Sequence, residues 1–313
     1  MDILILLRQM VILLIVIIVG YVISRIGILK NGGSASLSRM VVYVFNPALI
    51  ISSVVNSSVE DTGTVYITFL IAAVSYVFLI ICGWVLGKIF GKEAEERITW
   101  NLLTVFANVG FMGIPVVTAL YGTEKLIYVA IFILEYNLLA YTYGTFCASK
   151  DKAGKLFTKA NLKSLVNVGT VACVIAFAVF LFRVPVPQVI SQPLSYLGNC
   201  ATPVSLLVLG ISIAEQGGWK RVFTDVKAYR LSAFKLIAVP VIACLILSLF
   251  RLSPEIAGIT LIMIAMPCGN LPLMLMKNAG YEANMCCNAI IMTTILSVGT
   301  IPLISLLYNV LQV

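Results

Sequence analysis

The chain of 313 residues contains no histidine. That absence removes Ser-His-Asp triads, imidazole-ligated metal centres, the HExxH motif and the side chain that most often changes charge near neutral pH. Charge is scarce as well, at 11% of residues against roughly 25% in an ordinary globular domain. A soluble protein of this size needs a polar skin, and 21 Lys and Arg with 13 Asp and Glu cannot supply one. The eight cysteines form no CxxC pair, so they offer no metal or redox motif and read as small packing residues in apolar runs. What remains is a composition that is 61% hydrophobic, which implies an integral membrane protein. The net charge of +8 does not point to nucleic acid, because the basic residues fall in short loops between apolar runs.

A hydrocarbon core of about 30 Å takes about 20 apolar residues to cross as a helix. Ten such runs can be drawn: 3–24, 38–56, 63–87, 98–120, 125–147, 165–182, 194–214, 231–250, 256–276 and 285–308. The first is too long for a removed signal peptide and lacks a small-residue cleavage site, so it is read as span 1. Sixteen Lys and Arg lie in the odd-numbered loops, Lys152 and Arg221 among them, against Lys125, Arg183 and Arg251 in the even-numbered ones. That bias places the odd loops in the cytoplasm and both termini outside the cell membrane.

Pro47 and Pro203 lie 156 residues apart, and Pro115 and Pro272 lie 157 apart. Tyr121-Gly122 and Gly280-Tyr281 follow the second pair. Matched prolines at half the chain length imply two homologous halves, 1–156 and 157–313, of five spans each. Five is odd, so the second half enters the membrane from the opposite side, an inverted repeat of the kind found in secondary transporters.

Spans 4 and 9 are predicted to break. Span 4 carries Asn108, Gly110, Gly113 and Pro115, and span 9 carries Pro267, Gly269, Asn270 and Pro272. Proline removes a helix hydrogen bond and glycine leaves helical geometry freely. Non-helical backbone at that depth survives only against protein or a wet cavity. Each break also starts a half-helix whose N-terminus carries about half a positive charge, so two such ends attract an anion without a buried Arg. Two packing kinks are the alternative reading. Asn46 and Asn137 join the residues of the breaks as candidate substrate-binding positions.

The segments MDILILLRQMVILLIVIIVGYVISRIGIL at the start, VVYVFNPALIISS at 41–53, ANVGFMGIPVVTALYG at 107–122 and AMPCGNLPLML at 265–275 carry a resemblance. Along its whole length the chain resembles the auxin efflux carrier family, the PIN-like carriers, in their shorter bacterial form with a short loop between spans 5 and 6. The resemblance implies an all-α membrane protein of ten helices in a fold shared with bile-acid/sodium symporters. Spans 1, 2, 6 and 7 would form a scaffold and spans 3–5 and 8–10 an elevator-type transport domain. The crossover of spans 4 and 9 would hold the substrate, with Asn108 and Pro115 on one side and Asn270 and Pro272 on the other. Homodimers through the scaffold are implied too.

Glu135 is the one carboxylate expected deep in a span. Tyr128, Glu135 and Thr142 recur every seven residues and share a helix face, expected to face the cavity. Glu135 reads either as a proton or sodium coupling site or as a neutral acid bonded between helices. Thr293 and Thr294 occupy roughly the corresponding place in the other half. Lys235 and Arg8, close to expected span ends, are read as snorkelling to the interface. No resident cofactor or metal is expected. The expectation is a transporter of a small organic anion, such as a carboxylate, embedded in membrane lipid and not an enzyme. A channel or a ligand sensor on a transporter fold is the alternative, although no charged ring or filter sequence is visible.

Overall fold

The computed structural model describes residues 1–28, 33–55, 62–149, 168–215, 222–250, 252–281 and 283–311. Lys152 and Arg221, which the predicted orientation places in the cytoplasm, lie outside these residues, as does most of the basic loop between spans 5 and 6. The described chain is helical apart from one isolated β-bridge.

Twelve helices follow one another among the described residues. They are α1 (Ile3–Arg25), α2 (Ala35–Val55), α3 (Gly63–Phe90), α4 (Ala94–Val105), α5 (Val109–Tyr121) and α6 (Thr123–Ala148). Then come α7 (Val168–Leu181), α8 (Gln188–Glu215), α9 (Val226–Ser248), α10 (Pro254–Ala265), α11 (Leu271–Asn278) and α12 (Met285–Leu311). Seven of them, α1, α2, α3, α6, α8, α9 and α12, are long and apolar enough to cross a bilayer. The twelve residues of α4 and of α10 make helices of about 18 Å, well short of a hydrocarbon core. Two starts lie five or more residues ahead of expectation. The seventh run begins at Gln188 rather than 194, and the eighth begins at Val226 rather than 231.

Local chemistry accounts for these limits. The Asp2 carboxylate accepts the Leu4 and Ile5 amides at 2.9 and 3.2 Å and starts α1. Asp225 does the same for α9 through Lys227 and Ala228. Helices α5 and α11 both end on a glycine in left-handed backbone, Gly122 at φ 84° and Gly280 at φ 76°, where a side chain would be strained.

Four π-helical turns interrupt the described helices: Val41–Phe45, Val109–Gly113, Ala140–Gly144 and Phe234–Ala238. Three of them run directly into a residue followed by proline, at Pro47, Pro115 and Pro240. A helical proline lacks the N–H and collides with the carbonyl four residues back, and a widened turn relieves both problems.

Helix α1 packs along the second half of α8, and α2 packs on α7 and the first half of α8. Gly20 and Gly210 set the α1–α8 spacing: a Cβ on Gly20 would collide with the Leu207 carbonyl, and one on Gly210 with the Ile17 carbonyl. Helix α3 lies along α4 and touches α6, while α9 packs on α10 and α12. The helix pairs α4–α5 and α10–α11 meet between these groups, and there the backbone leaves helical form.

Candidate functional site

Helix α4 ends at Val105 and α10 at Ala265, and in each case the chain then runs extended for a few residues. The two extended segments pair with each other. The Asn108 amide donates to the Pro267 carbonyl at 2.7 Å, and the Gly269 amide donates to the Phe106 carbonyl at 2.9 Å. Ala107 and Cys268 sit between these bonds as an antiparallel bridge. Backbone groups that the helices have released are thereby satisfied without water.

In front of this bridge lies a cavity of about 410 Å³. Its floor is the bridge itself and the first turns of α5 and α11, with Asn108, Gly110 and Asn270 in the lining. Helices α2 and α8 form the opposite wall, contributing Asn46, Ser38, Ser205 and Ser212. Helix α6 adds Tyr136 and Asn137. No Lys, Arg, Asp or Glu is among the described lining residues. Apolar groups such as Phe111, Val208, Leu271 and Met274 cover most of the rest. First-turn amides of a helix have no partner within it, so α5 and α11 point donors and the positive ends of their dipoles at this space.

The four predicted asparagines and Gly110 therefore share one cavity. The other predicted positions serve the breaks without lining it. Pro272 lies in the first turn of α11, where a missing N–H costs nothing, and Pro115 follows the π-turn Val109–Gly113, whose widening makes room for its ring. A Cβ on Gly269 would sit 3.1 Å from the Ala107 carbonyl oxygen and 3.2 Å from the Tyr136 hydroxyl, so glycine permits the close pairing. Gly113 packs against Met263, whose Cε would lie 2.8 Å from an added Cβ. The Thr293 hydroxyl accepts the Cys268 amide at 3.2 Å and donates to Ala289 at 2.7 Å, bracing the second break from α12. Thr294 bonds back to the Ile290 carbonyl of its own helix at 2.7 Å.

Glu135 is half-buried and outside the cavity lining. The lining residues of α6 are Ile133, Tyr136 and Asn137, spaced as one helix face, and Glu135 points about 200° away from Ile133 and Asn137. The expected cavity-facing stripe of Tyr128, Glu135 and Thr142 is thus turned elsewhere: none of the three is in the lining. No described residue hydrogen-bonds to or pairs with the Glu135 carboxylate.

Lys235 departs furthest from its sequence reading. It does not snorkel to an interface, because its side chain is fully buried. Its ammonium donates to the Thr104 carbonyl at 3.0 Å and to the Ile264 carbonyl at 3.1 Å, the last turns of α4 and α10. The cause lies in the helix start. With Asp225 as cap, α9 begins at Val226, so Lys235 stands about 14 Å in rather than at an end. The π-turn at Phe234–Ala238, announced in sequence by Pro240, marks its position. Tyr136 and the three serines of the lining also escaped the sequence reading; they carry no pattern that separates them from packing residues.

Known proteins place the chain in context. The family described as Membrane transport protein matches it twice, over residues 5–157 and 153–305. A protein of Methanocaldococcus jannaschii named as an uncharacterized transporter is 26% identical over 303 residues, covering 93% of this chain and 95% of its own. An uncharacterized transporter of Methanothermobacter thermautotrophicus is 23% identical over 293 residues, covering 93% and 94%.

Proposed function

The chain belongs to the Membrane transport protein family and is a transporter rather than an enzyme, and from that premise we propose that it moves a small organic anion by alternating access. The observation that carries this reading is the cavity in front of the paired breaks. It joins two half-helix N-termini and four asparagines, with no fixed charge in its described lining. Amide donors and helix dipoles suit a carboxylate. The apolar remainder of the lining suits a hydrocarbon or aromatic body, and the volume falls within the usual range for small-molecule sites. The substrate class is therefore a monocarboxylate with an apolar portion.

The same reading uses ten spans, in which α4 with α5 and α10 with α11 each make one broken span and α7 makes a short one. Two inverted halves, 1–156 and 157–313, follow from it. Helices α1, α2, α7 and α8 then act as a scaffold through which two copies of the chain form a homodimer. The helices of spans 3–5 and 8–10 carry the anion past it in an elevator motion. Both termini lie outside the cell membrane. Glu135, an acid without a described partner on one of the carrying helices, is the place at which protons couple to the movement.

Reconstitution of the full chain in liposomes, with a panel of carboxylates, tests the function. Saturable uptake of an apolar monocarboxylate such as phenylacetate, competed by its relatives and not by its amide, is the expected result. Step-like single-channel currents, or no uptake of any anion, would overturn it.

A further inference from the structure

Lys235 has no role in the cavity, yet it is the most deeply placed cation of the described chain. Taking an ammonium out of water costs several kcal/mol unless other groups replace the lost hydration. Here the replacements are two carbonyls, at 3.0 and 3.1 Å, and among the described residues no carboxylate pairs with it. Both carbonyls belong to helix C-termini, and each C-terminus carries about half a negative charge. Two ends together amount to about one negative charge, which one lysine balances.

Across the bridge the arithmetic is inverted. The N-terminal ends of α5 and α11 bring about one positive charge to the cavity floor, and no carboxylate of the described lining balances it. The rear of the paired breaks is therefore neutral within the protein, and the front is short of one negative charge. We infer that Lys235 is a positioning residue for the substrate: it neutralises and ties the α4 and α10 ends, so that both opposite ends are held toward a single anionic charge. Cys268 and Thr293 complete the same rear wall. The Cys268 thiol donates to the Leu103 carbonyl at 3.3 Å and is fully buried.

This inference rests on the anion reading for its substrate and on geometry alone for the clamp, so two readouts separate them. In the full chain with Cys268 as sole cysteine, a membrane-permeant maleimide reports whether the wall stays closed. Phenylacetate uptake in liposomes reports affinity. Lys235→Met keeps the volume and loses the charge; it should raise the KM for phenylacetate about tenfold, with a smaller change in kcat, and make Cys268 reactive. Lys235→Ala should behave alike, and propylammonium added during reconstitution should restore both readouts, whereas 1-propanol, of similar size without charge, should restore neither. A Lys235→Met protein with wild-type KM and an unreactive Cys268, or equal rescue by the alcohol, would overturn the inference. Should the wild type take up no carboxylate, the anion reading falls, and the Cys268 readout still decides the clamp.

Discussion

Pro115 follows the bridge residue Ala107 by eight positions, whereas Pro272 follows its bridge partner Cys268 by four. The first break spends its extra residues on the π-turn Val109–Gly113, which opens toward the cavity and carries Gly110. The second passes almost at once into α11, with Pro267 and Pro272 on either side and Thr293 bonded to its centre. A Cβ on Gly110 would meet nothing within 4 Å, while one on Gly269 would press on two carbonyls and a tyrosine hydroxyl. Two segments that share a bridge thus differ in character: one is wide and exposed to the ligand space, the other narrow and enclosed. Rigidity of the pair comes mainly from the second break, and room for a ligand comes mainly from the first.

The largest effect should come from inverting the glycines. Gly269→Val is expected to destabilise the protein by about 1–3 kcal/mol through overpacking, visible as a lowered Tm in detergent, and to abolish uptake. Gly110→Val should leave Tm nearly unchanged and act on uptake alone, by filling the cavity. Equal losses of Tm in both variants would erase the distinction between the breaks.

Removing the brace is the next test. Thr293→Val keeps the shape and leaves the buried Cys268 amide without its acceptor, at a cost of about 1–3 kcal/mol. Hydrogen exchange should rise at Cys268 and Gly269 and stay unchanged in α5. Unaltered exchange across the second break would mean that the two prolines hold it unaided.

A smaller and more symmetrical effect is expected at the asparagines, because both breaks bring one to the cavity. Asn108→Ala and Asn270→Ala should each weaken carboxylate binding about fivefold, roughly one hydrogen bond's net value, with Tm preserved. Unchanged affinity in both would move the binding site away from the breaks.

How far the sequence reached can be read from the same residues. Composition and run length suffice for a helical membrane protein, because the bilayer leaves so few ways to satisfy a backbone. The breaks were legible from Pro and Gly, and Asn108 and Asn270 from their place beside them. Proline spacing, however, matched the halves at 157, and the bridge pairs residues 161 apart. Prolines mark where a half-helix starts, not where two segments cross, and the π-turn absorbs the difference of four. Lys235 was misplaced because apolar counting set the start of its helix five residues late, past the Asp225 cap. The α6 stripe failed for a related reason: a repeat of seven names a face but not what that face meets.

The smallest effect on binding should come from Glu135. Its carboxylate lies outside the described lining, on a face of α6 turned from Asn137, so the acid contributes no contact to a bound anion. It does share the helix that carries Tyr136 and Asn137 into the cavity, and the side chain described within reach of its charge is the neutral hydroxyl of Tyr76. A proton gained or lost there changes the cost of moving that helix through the hydrocarbon without changing the ligand's partners. Glu135→Gln keeps the shape and removes the ionisation. The affinity for phenylacetate should stay within about twofold of wild type, since no hydrogen bond to the ligand is lost. The dependence of the uptake rate on pH should flatten. A variant that retains the full pH dependence would return Glu135 to helix packing, and one that loses affinity as strongly as Asn108→Ala would place the acid in the binding site and end the contrast between the two faces of α6.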